Sequence, residues 1–468
     1  MKKNVFVIAF MLPVMLLFLT GFAQPAESQS SFKLPEYTKF VMKNGLTVYL
    51  MEQHEVPLIY ATCVFPAGAV KDGNRYGLAS LTADGLLFGT KNYSKKQIEE
   101  TLDYIGASFS TFAAKEYSQL DLSFVAKDQD TVFPIMQEII TAPVFDRDEF
   151  DKRKTRMLME LQQAKERPQS VIRSYFDKFI YADNAYGNPA EGTNSSVTAI
   201  QVQDLQNFYN QHYTPAGSAL VLVGDLDSKA MKEKIEKMFH NWTAKSQPIP
   251  AQQVRMPVLT RSRVLLVNKD DATETRFLIG GYGIKRSNPD YVAIQVINTI
   301  LGDRFTSWLN DELRVKRGLT YGARSFFRPY KTTGLFAISS YTGNETTFEA
   351  LDVALEVLNR LHTQGVDEAT LSSARNYIKG QFPPQYETSG SLAELLASMF
   401  IYDFDEAFIN DFQANVDKLT VEKSQEIITK YFPKENLQFV LIGKASELRD
   451  KVSKYGSVTE KEIKADGY

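Results

Sequence analysis

Two short apolar runs, each stopped by glycine, constrain the fold of this chain more than anything else in it. Residues 218–223, Ser-Ala-Leu-Val-Leu-Val, close on Gly224-Asp225, and residues 437–442, Leu-Gln-Phe-Val-Leu-Ile, close on Gly443. Runs so short, continuous and β-branched read as strands buried on both faces. Each ends a stretch in which strands and amphipathic helices follow one another in similar order, so the chain reads as two α+β halves. The repeat is one of outline, not of literal sequence. A length of 468 residues is enough for two cores.

The first half is expected over 36–245, the second over 261–460, with the proline-containing stretch 246–260 as linker. In the first half, apolar runs at 40–42 and 46–50 flank Lys43-Asn44-Gly45, a strong hairpin signal. Further strands are predicted at 58–65 and within 108–124, and helices over 77–88, 95–105, 171–181 and 202–213. Asp146 caps a long helix to about residue 165, with Glu149 three residues on and Phe150, Met157 and Leu161 along one side. The second half reads as strands at 264–267, 276–282 and 335–341 and helices over 291–300, 347–362 and 368–379.

Residues 1–23 carry Lys2 and Lys3, an apolar run, and small residues Gly21 and Ala23, the pattern of a signal peptide cut before Gln24. Pro13 interrupts a run already short for a membrane span, so none is expected after cleavage. No cysteine lies near the cut to carry a lipid, residues 24–35 read as a loose Ser-, Gln- and Pro-rich leader, and a periplasmic or otherwise exported location is expected. Cys63 is the only cysteine, so the core must hold the protein together without an internal disulfide. The formal charge of −3, or −5 without Lys2 and Lys3, does not favour nucleic acid or anionic membrane as partners.

One stretch of the second half stands apart: Leu313-Arg314-Val315-Lys316-Arg317-Gly318-Leu319-Thr320-Tyr321-Gly322. Phe305, Leu309 and Leu313 recur every four residues, with Trp308 beside them, which predicts a helix over 305–314 that Gly318 stops. Residues 320–327 read as a strand. Arg314 would then end a helix and Tyr321 open a sheet, within reach of one pocket. Taken alone, the segment is more simply a solvated cationic helix end, with Arg314, Lys316 and Arg317 favourable to the helix dipole.

This stretch, with Asn298-Thr299-Ile300-Leu301-Gly302 before it, resembles the second half of the M16 peptidases, the family of pitrilysin, insulinase and mitochondrial processing peptidase. The seven-residue step from Arg314 to Tyr321 is that family's pattern. Phe65-Pro66-Ala67-Gly68, Gly77-Leu78-Ala79, Tyr186-Gly187 with Pro189, Gly192-Thr193, and Val223-Gly224-Asp225 resemble it too, so the likeness covers about 40–443. It implies an α+β fold of two similar halves, each an antiparallel sheet covered by helices, facing each other as a clamshell.

The M16 resemblance also implies a site that is missing here. In the family the first helix carries His-x-x-Glu-His: two imidazoles one turn apart bind zinc, and the glutamate acts as general base toward the metal-bound water. In this chain Ser80 stands for the first histidine, Ala83 for the glutamate and Asp84 for the second histidine. The distant glutamate ligand survives as Glu160, but Arg153 lies seven residues before it, and a salt bridge is the simpler outcome. His54, His212, His240 and His362 are not paired at ligand spacing. No cofactor is therefore expected in this chain.

Loss of the metal residues beside a retained Arg314 and Tyr321 resembles the non-zinc subunit of M16 peptidases that divide the work between two chains. The resemblance implies a zinc-bearing M16-like partner, zinc in that partner, and an unfolded peptide as substrate. Tyr321 would donate to the oxyanion on the scissile carbonyl, and Arg314 would hold a neighbouring main-chain carbonyl. Substrate in such enzymes adds as a strand to a sheet edge, here 106–113, where Ser110 replaces the asparagine of active chains; a purely structural edge fits those residues equally well. The other functional reading is a catalytically inactive scaffold or peptide-binding protein of the cell envelope.

Overall fold

A computed structural model describes residues 32–245 and 255–468. The expected signal peptide, most of the leader and the first part of the linker, 246–254, lie outside the described residues.

The first half forms a six-stranded sheet in the order β1-β2-β6-β3-β5-β4, from Thr38–Val41 (β1), Thr47–Glu52 (β2), Leu58–Phe65 (β3), Ser108–Ala113 (β4), Ser118–Val125 (β5) and Ala219–Gly224 (β6). The second forms another in the order β12-β7-β11-β8-β10-β9, from Arg263–Asn268 (β7), Glu274–Tyr282 (β8), Ala323–Pro329 (β9), Gly334–Gly343 (β10), Gln438–Gly443 (β11) and Ser457–Glu462 (β12). The two glycine-stopped runs occupy equivalent places. Strand β6 pairs parallel with β2 and antiparallel with β3, and β11 pairs parallel with β7 and antiparallel with β8. Each is buried at every position because a sheet neighbour lies on both sides and helices lie on both faces.

Four helices position the site and are labelled here: Leu78–Gly85 (α1), Arg147–Lys165 (α2), Pro168–Tyr181 (α3) and Ser389–Tyr402 (α4). Asp146 caps α2 as its sequence predicts, accepting from the Glu149 amide at 3.0 Å. The halves exchange helices. From the first half, α3 lays Val171, Ile172, Tyr175 and Phe176 against Leu278, Leu335, Val440 and Ile442 of the second sheet. From the second, α4 packs Leu392, Leu395 and Leu396 against the outer face of β3 and β6, on Val64, Val221 and Val223. The two halves thus face each other as a clamshell closed by shared cores.

Local expectations fail where tertiary contacts decide. The helix predicted from 305 starts only at Trp308, where the Ser307 hydroxyl accepts from the Asn310 amide. Phe305 is 68 % exposed and belongs to no apolar stripe, while Leu309 and Leu313 are fully buried. Asp311–Lys316 continues as wide π-type turns, and Gly318, at φ +63°, ends it with the Leu319 amide donating to the Leu313 carbonyl at 2.8 Å. The strand predicted from 320 begins at Ala323, leaving Tyr321 in a bend ahead of the sheet. Helix α4 escapes the sequence reading because it is apolar nearly all round and shows no one-sided stripe. Strand β12 escapes because it is a charged, exposed edge. Among the described residues, no helix is long and apolar enough to cross a membrane.

Candidate functional site

The positions of the lost metal motif lie on α1, and Glu160 faces them from α2. Between them stands a guanidinium: Arg153 Nε donates to Asp84 Oδ2 at 2.6 Å and its Nη1 to Glu160 Oε2 at 3.0 Å. Ser80 Oγ donates to the Ala190 carbonyl at 2.7 Å. Burial pushes the Asp84 carboxyl above the ordinary carboxylate range, and the Arg153 charge pulls it back. Burial opposes the Arg153 charge in turn, but Asp84 and Glu160 prevail and hold its proton more firmly than usual. These donors do not fit zinc: they offer no imidazole or thiolate, and the two carboxylates already share a fixed cation. Among the described residues no cluster of three or more His, Cys, Asp or Glu is arranged to hold a metal.

A recess of about 380 Å³ surrounds these residues, bounded by Thr111, Phe112 and Ala113 of β4. That strand is the edge of its sheet and pairs only with β5, so one side of its backbone is free to accept another strand. Ser110 lines a different hollow, beside Tyr60, Asp121 and Glu394. The expected edge is therefore present, with Ser110 on the side away from the old metal position.

Arg314 and Tyr321 line a second groove, of about 390 Å³, with Glu274 and Tyr341. The structure does bring the two to one recess. Tyr321 is 83 % exposed, yet its loop is fixed on both sides: Thr320 Oγ1 accepts from the Gly322 amide at 3.1 Å, Ser340 Oγ donates to the Gly322 carbonyl at 3.0 Å, and the Ala323 amide donates to Asn310 Oδ1 at 3.1 Å. The cations beside Arg314 are spoken for. Lys316 pairs with Asp311 and Glu312, each at 2.8 Å, and Arg317 with Glu356 at 3.2 Å. Arg314 has no carboxylate partner among the described residues and only stacks over the exposed Phe305 ring, 4.6 Å from its centroid.

No residue lines both recesses, so within one chain Arg314 and Tyr321 do not meet Asp84 and Glu160. A further hollow of about 590 Å³ lies between them, bounded by Arg173, Arg276, Arg324 and Arg328. The sequence gives no sign of this cluster, because the four arginines come from three separate elements, α3, β8 and β9, and carry no spacing signal. The four histidines are dispersed: His54 bonds Asp225 at 2.7 Å on the surface, and His212 is buried against Phe208, where desolvation lowers its pKa to about 4.

Comparison with known proteins accords with this geometry. Residues 48–194 match the insulinase family, peptidase family M16, and residues 199–378 match the peptidase M16 inactive domain. This chain therefore belongs to the M16 peptidase family. Among curated relatives it is 22 % identical to the non-peptidase homolog YmxG of Helicobacter pylori, over 84 % of this chain and 90 % of that one. It is 22 % identical to the bovine (Bos taurus) mitochondrial-processing peptidase subunit beta, over 91 % of this chain and 88 % of the other. A crystal structure of an M16 inactive domain from Pseudomonas fluorescens superposes with a TM-score of 0.81 at 24 % identity, covering 87 % of this chain and 98 % of its own.

Proposed function

We propose that this chain is the non-zinc subunit of a two-chain M16 peptidase of the cell envelope, exported by its signal peptide and inactive alone. The observation that carries this reading is the state of Arg314: it is the one cation of its segment without a carboxylate partner, and it shares a groove with an exposed tyrosine on a braced loop. The neighbouring Lys316 and Arg317 are neutralised by carboxylates, which leaves Arg314 the cation of this segment open to a ligand.

In this reading the partner supplies zinc and the base. Tyr321 donates its hydroxyl to the oxyanion developing on the scissile carbonyl, a role typically worth about 3 kcal/mol when the donor is already in place. Arg314 donates to a neighbouring main-chain carbonyl and fixes the peptide's register. The free side of β4 pairs with an extended, unfolded substrate through its backbone, which selects for conformation more than for sequence.

The test is a gentle affinity purification of the tagged protein from its own cells, followed by zinc analysis and peptide cleavage of what accompanies it. A zinc-bearing M16 chain in equal amount, with cleavage lost in Tyr321→Phe and Arg314→Ala, supports the reading. Cleavage unaffected by both substitutions would sink it. The second reading, an inactive scaffold or peptide-binding protein, is favoured by the Arg153 bridge across the old metal position and by the likeness to a non-peptidase homolog. Recovery of this chain alone, or within an unrelated envelope complex without peptidase activity, would select it.

A further inference from the structure

The hollow between the two recesses gathers four arginines, two of them without an ion-pair partner among the described residues. Arg324, Phe326 and Arg328 alternate along β9 and so share one face. From α3, Arg173 reaches the same place. Three guanidinium carbons lie around the single Phe326 ring: Arg173 at 5.6 Å from its centroid, Arg324 and Arg328 each at 5.9 Å. Like charges gathered this closely repel, and proteins normally thread carboxylates between them.

Of the three carboxylates that line the hollow, Glu191 makes no ion pair with these arginines, and the other two are already committed. Asp177 serves both Arg328, at 3.2 Å, and Lys115, at 3.5 Å. Glu116 accepts from the Tyr186 hydroxyl and from the Lys331 amide at 3.0 Å. Asp303 acts on Arg324 without reaching ion-pair contact. Arg173 and Arg324 make no salt bridge among the described residues, and both are exposed to the hollow. Arg276 pairs with Glu274 at 3.3 Å through Nη2, while its Nε is buried with no hydrogen-bond partner. Burial and the adjoining Arg328 and Arg324 charges lower the Arg173 pKa from its ordinary value.

Position narrows the ligand. The hollow shares Ser170, Ser174 and Glu191 with the recess at β4. On its other side Arg276 stacks over Tyr341, at 4.4 Å, and pairs with Glu274, both of which line the Arg314 and Tyr321 groove. Strand β9 is a free edge like β4. An extended peptide that reaches from one groove toward the other crosses the arginines, and one paired with β9 sets every second side chain on their face.

We propose that this hollow binds carboxylates of an extended peptide, carried by Asp or Glu side chains or by a free chain end, with Arg173 and Arg324 as the principal donors. The proposal rests on the reading that the protein receives an unfolded peptide, and adds to it a preference for acidic segments. Guanidinium forks match carboxylates with two parallel hydrogen bonds, and such charge-assisted bonds are the strong ones.

The experiment uses the full exported chain and fluorescence anisotropy with three labelled peptides: alternating Thr-Glu with an amidated end, alternating Thr-Gln with an amidated end, and alternating Thr-Gln with a free carboxylate. The expected result is tighter binding of a carboxylate-bearing probe than of the neutral one by at least about tenfold, lost in the Arg173→Gln, Arg324→Gln double variant and weakened by salt. Preference for the first probe assigns the site to side chains, and for the third to a chain end. Neither arginine holds the fold through a salt bridge, so an unchanged melting temperature is expected and confirms that the variant is intact. Equal affinity for all three probes, or an acid preference surviving the double substitution, overturns the proposal while leaving peptide binding standing. Binding of none of the three overturns both. Arginine-dependent acid binding by a chain whose complex cleaves independently of Tyr321 upholds this site and overturns the catalytic reading alone.

Discussion

Arg153 Nε lies 2.6 Å from Asp84 Oδ2, and this contact sets a guanidinium where the sequence pattern of the family would call for a metal. With Nη1 on Glu160 at 3.0 Å, the side chain ties α1 to α2 by charge. A covalently attached cation thus does in this chain the structural part of what a bound one does elsewhere: it offsets the repulsion between two carboxylates. It supplies no Lewis acid and activates no water.

Removing that cation should cost stability without creating a metal site. Arg153 and Asp84 are about three-quarters buried, between the surface and interior cases, so Arg153→Ala is expected to lower the unfolding free energy by about 1–3 kcal/mol. Asp84→Asn added to it should restore part of the loss, because the orphaned charge goes too. Urea denaturation of the single and double variants measures both. An unchanged midpoint in Arg153→Ala would reduce the pair to a solvated contact.

The helix exchange predicts cooperative unfolding of the whole described fold. Each sheet has one face closed by a helix from the other half, so neither core survives alone. The two tryptophans report on separate halves, Trp242 in the first core and Trp308 in the second. Single-tryptophan variants Trp242→Phe and Trp308→Phe should give coincident unfolding midpoints. Leu396→Ala on α4, fully buried against the first sheet, should lower both midpoints together, with a loss of about 2–5 kcal/mol in unfolding free energy. Separate midpoints would show that the halves are independent domains.

His212 gives a pH dependence with a definite sign. Burial lowers its folded pKa to about 4, below the ordinary value of 6.5, so the unfolded chain takes up a proton first on acidification. The contribution of neutral His212 is complete above pH 6.5 and is lost as the pH falls from there toward 4, on the order of 3 kcal/mol at most. His212→Gln should flatten that part of the stability profile. Parallel wild-type and variant curves between pH 7 and 4 would refute the assignment.

Tyr321→Phe should separate catalysis from folding. An 83 % exposed side chain contributes little to stability, so the variant is expected within about 0.5 kcal/mol of wild type in denaturation. In the assembled peptidase the same change should lower kcat by roughly a hundredfold or more with KM little altered, since it removes a donor used in the transition state. Arg314→Ala should raise KM as well, because its bond to substrate exists before reaction. A Tyr321→Phe complex with wild-type kcat would remove this residue from the chemistry.

The two halves, most of their strands and the long capped helix were legible in the sequence, because buried strands and amphipathic helices write their environment into a period of two or of about 3.6. Loss of the metal motif was legible too: Ser80, Ala83 and Asp84 cannot do what two imidazoles and a glutamate do, whatever surrounds them. The expected Arg153 salt bridge to Glu160 is present, but its second arm on Asp84 joins residues 69 apart and leaves no local trace.

What only tertiary structure decided is where cations find partners and where helices go. Sequence put Arg314, Lys316 and Arg317 on one helix end; the fold supplies carboxylates to two of them and leaves Arg314 with an aromatic ring. Helix α4 has no polar face because it is enclosed by both halves, and only the closed structure shows which surfaces enclose it. Arg173, Arg276 and Arg324 meet for the same reason. Electrostatic neighbours are set by distance in space, and over separations of this length along the chain a sequence encodes that distance only through the whole fold.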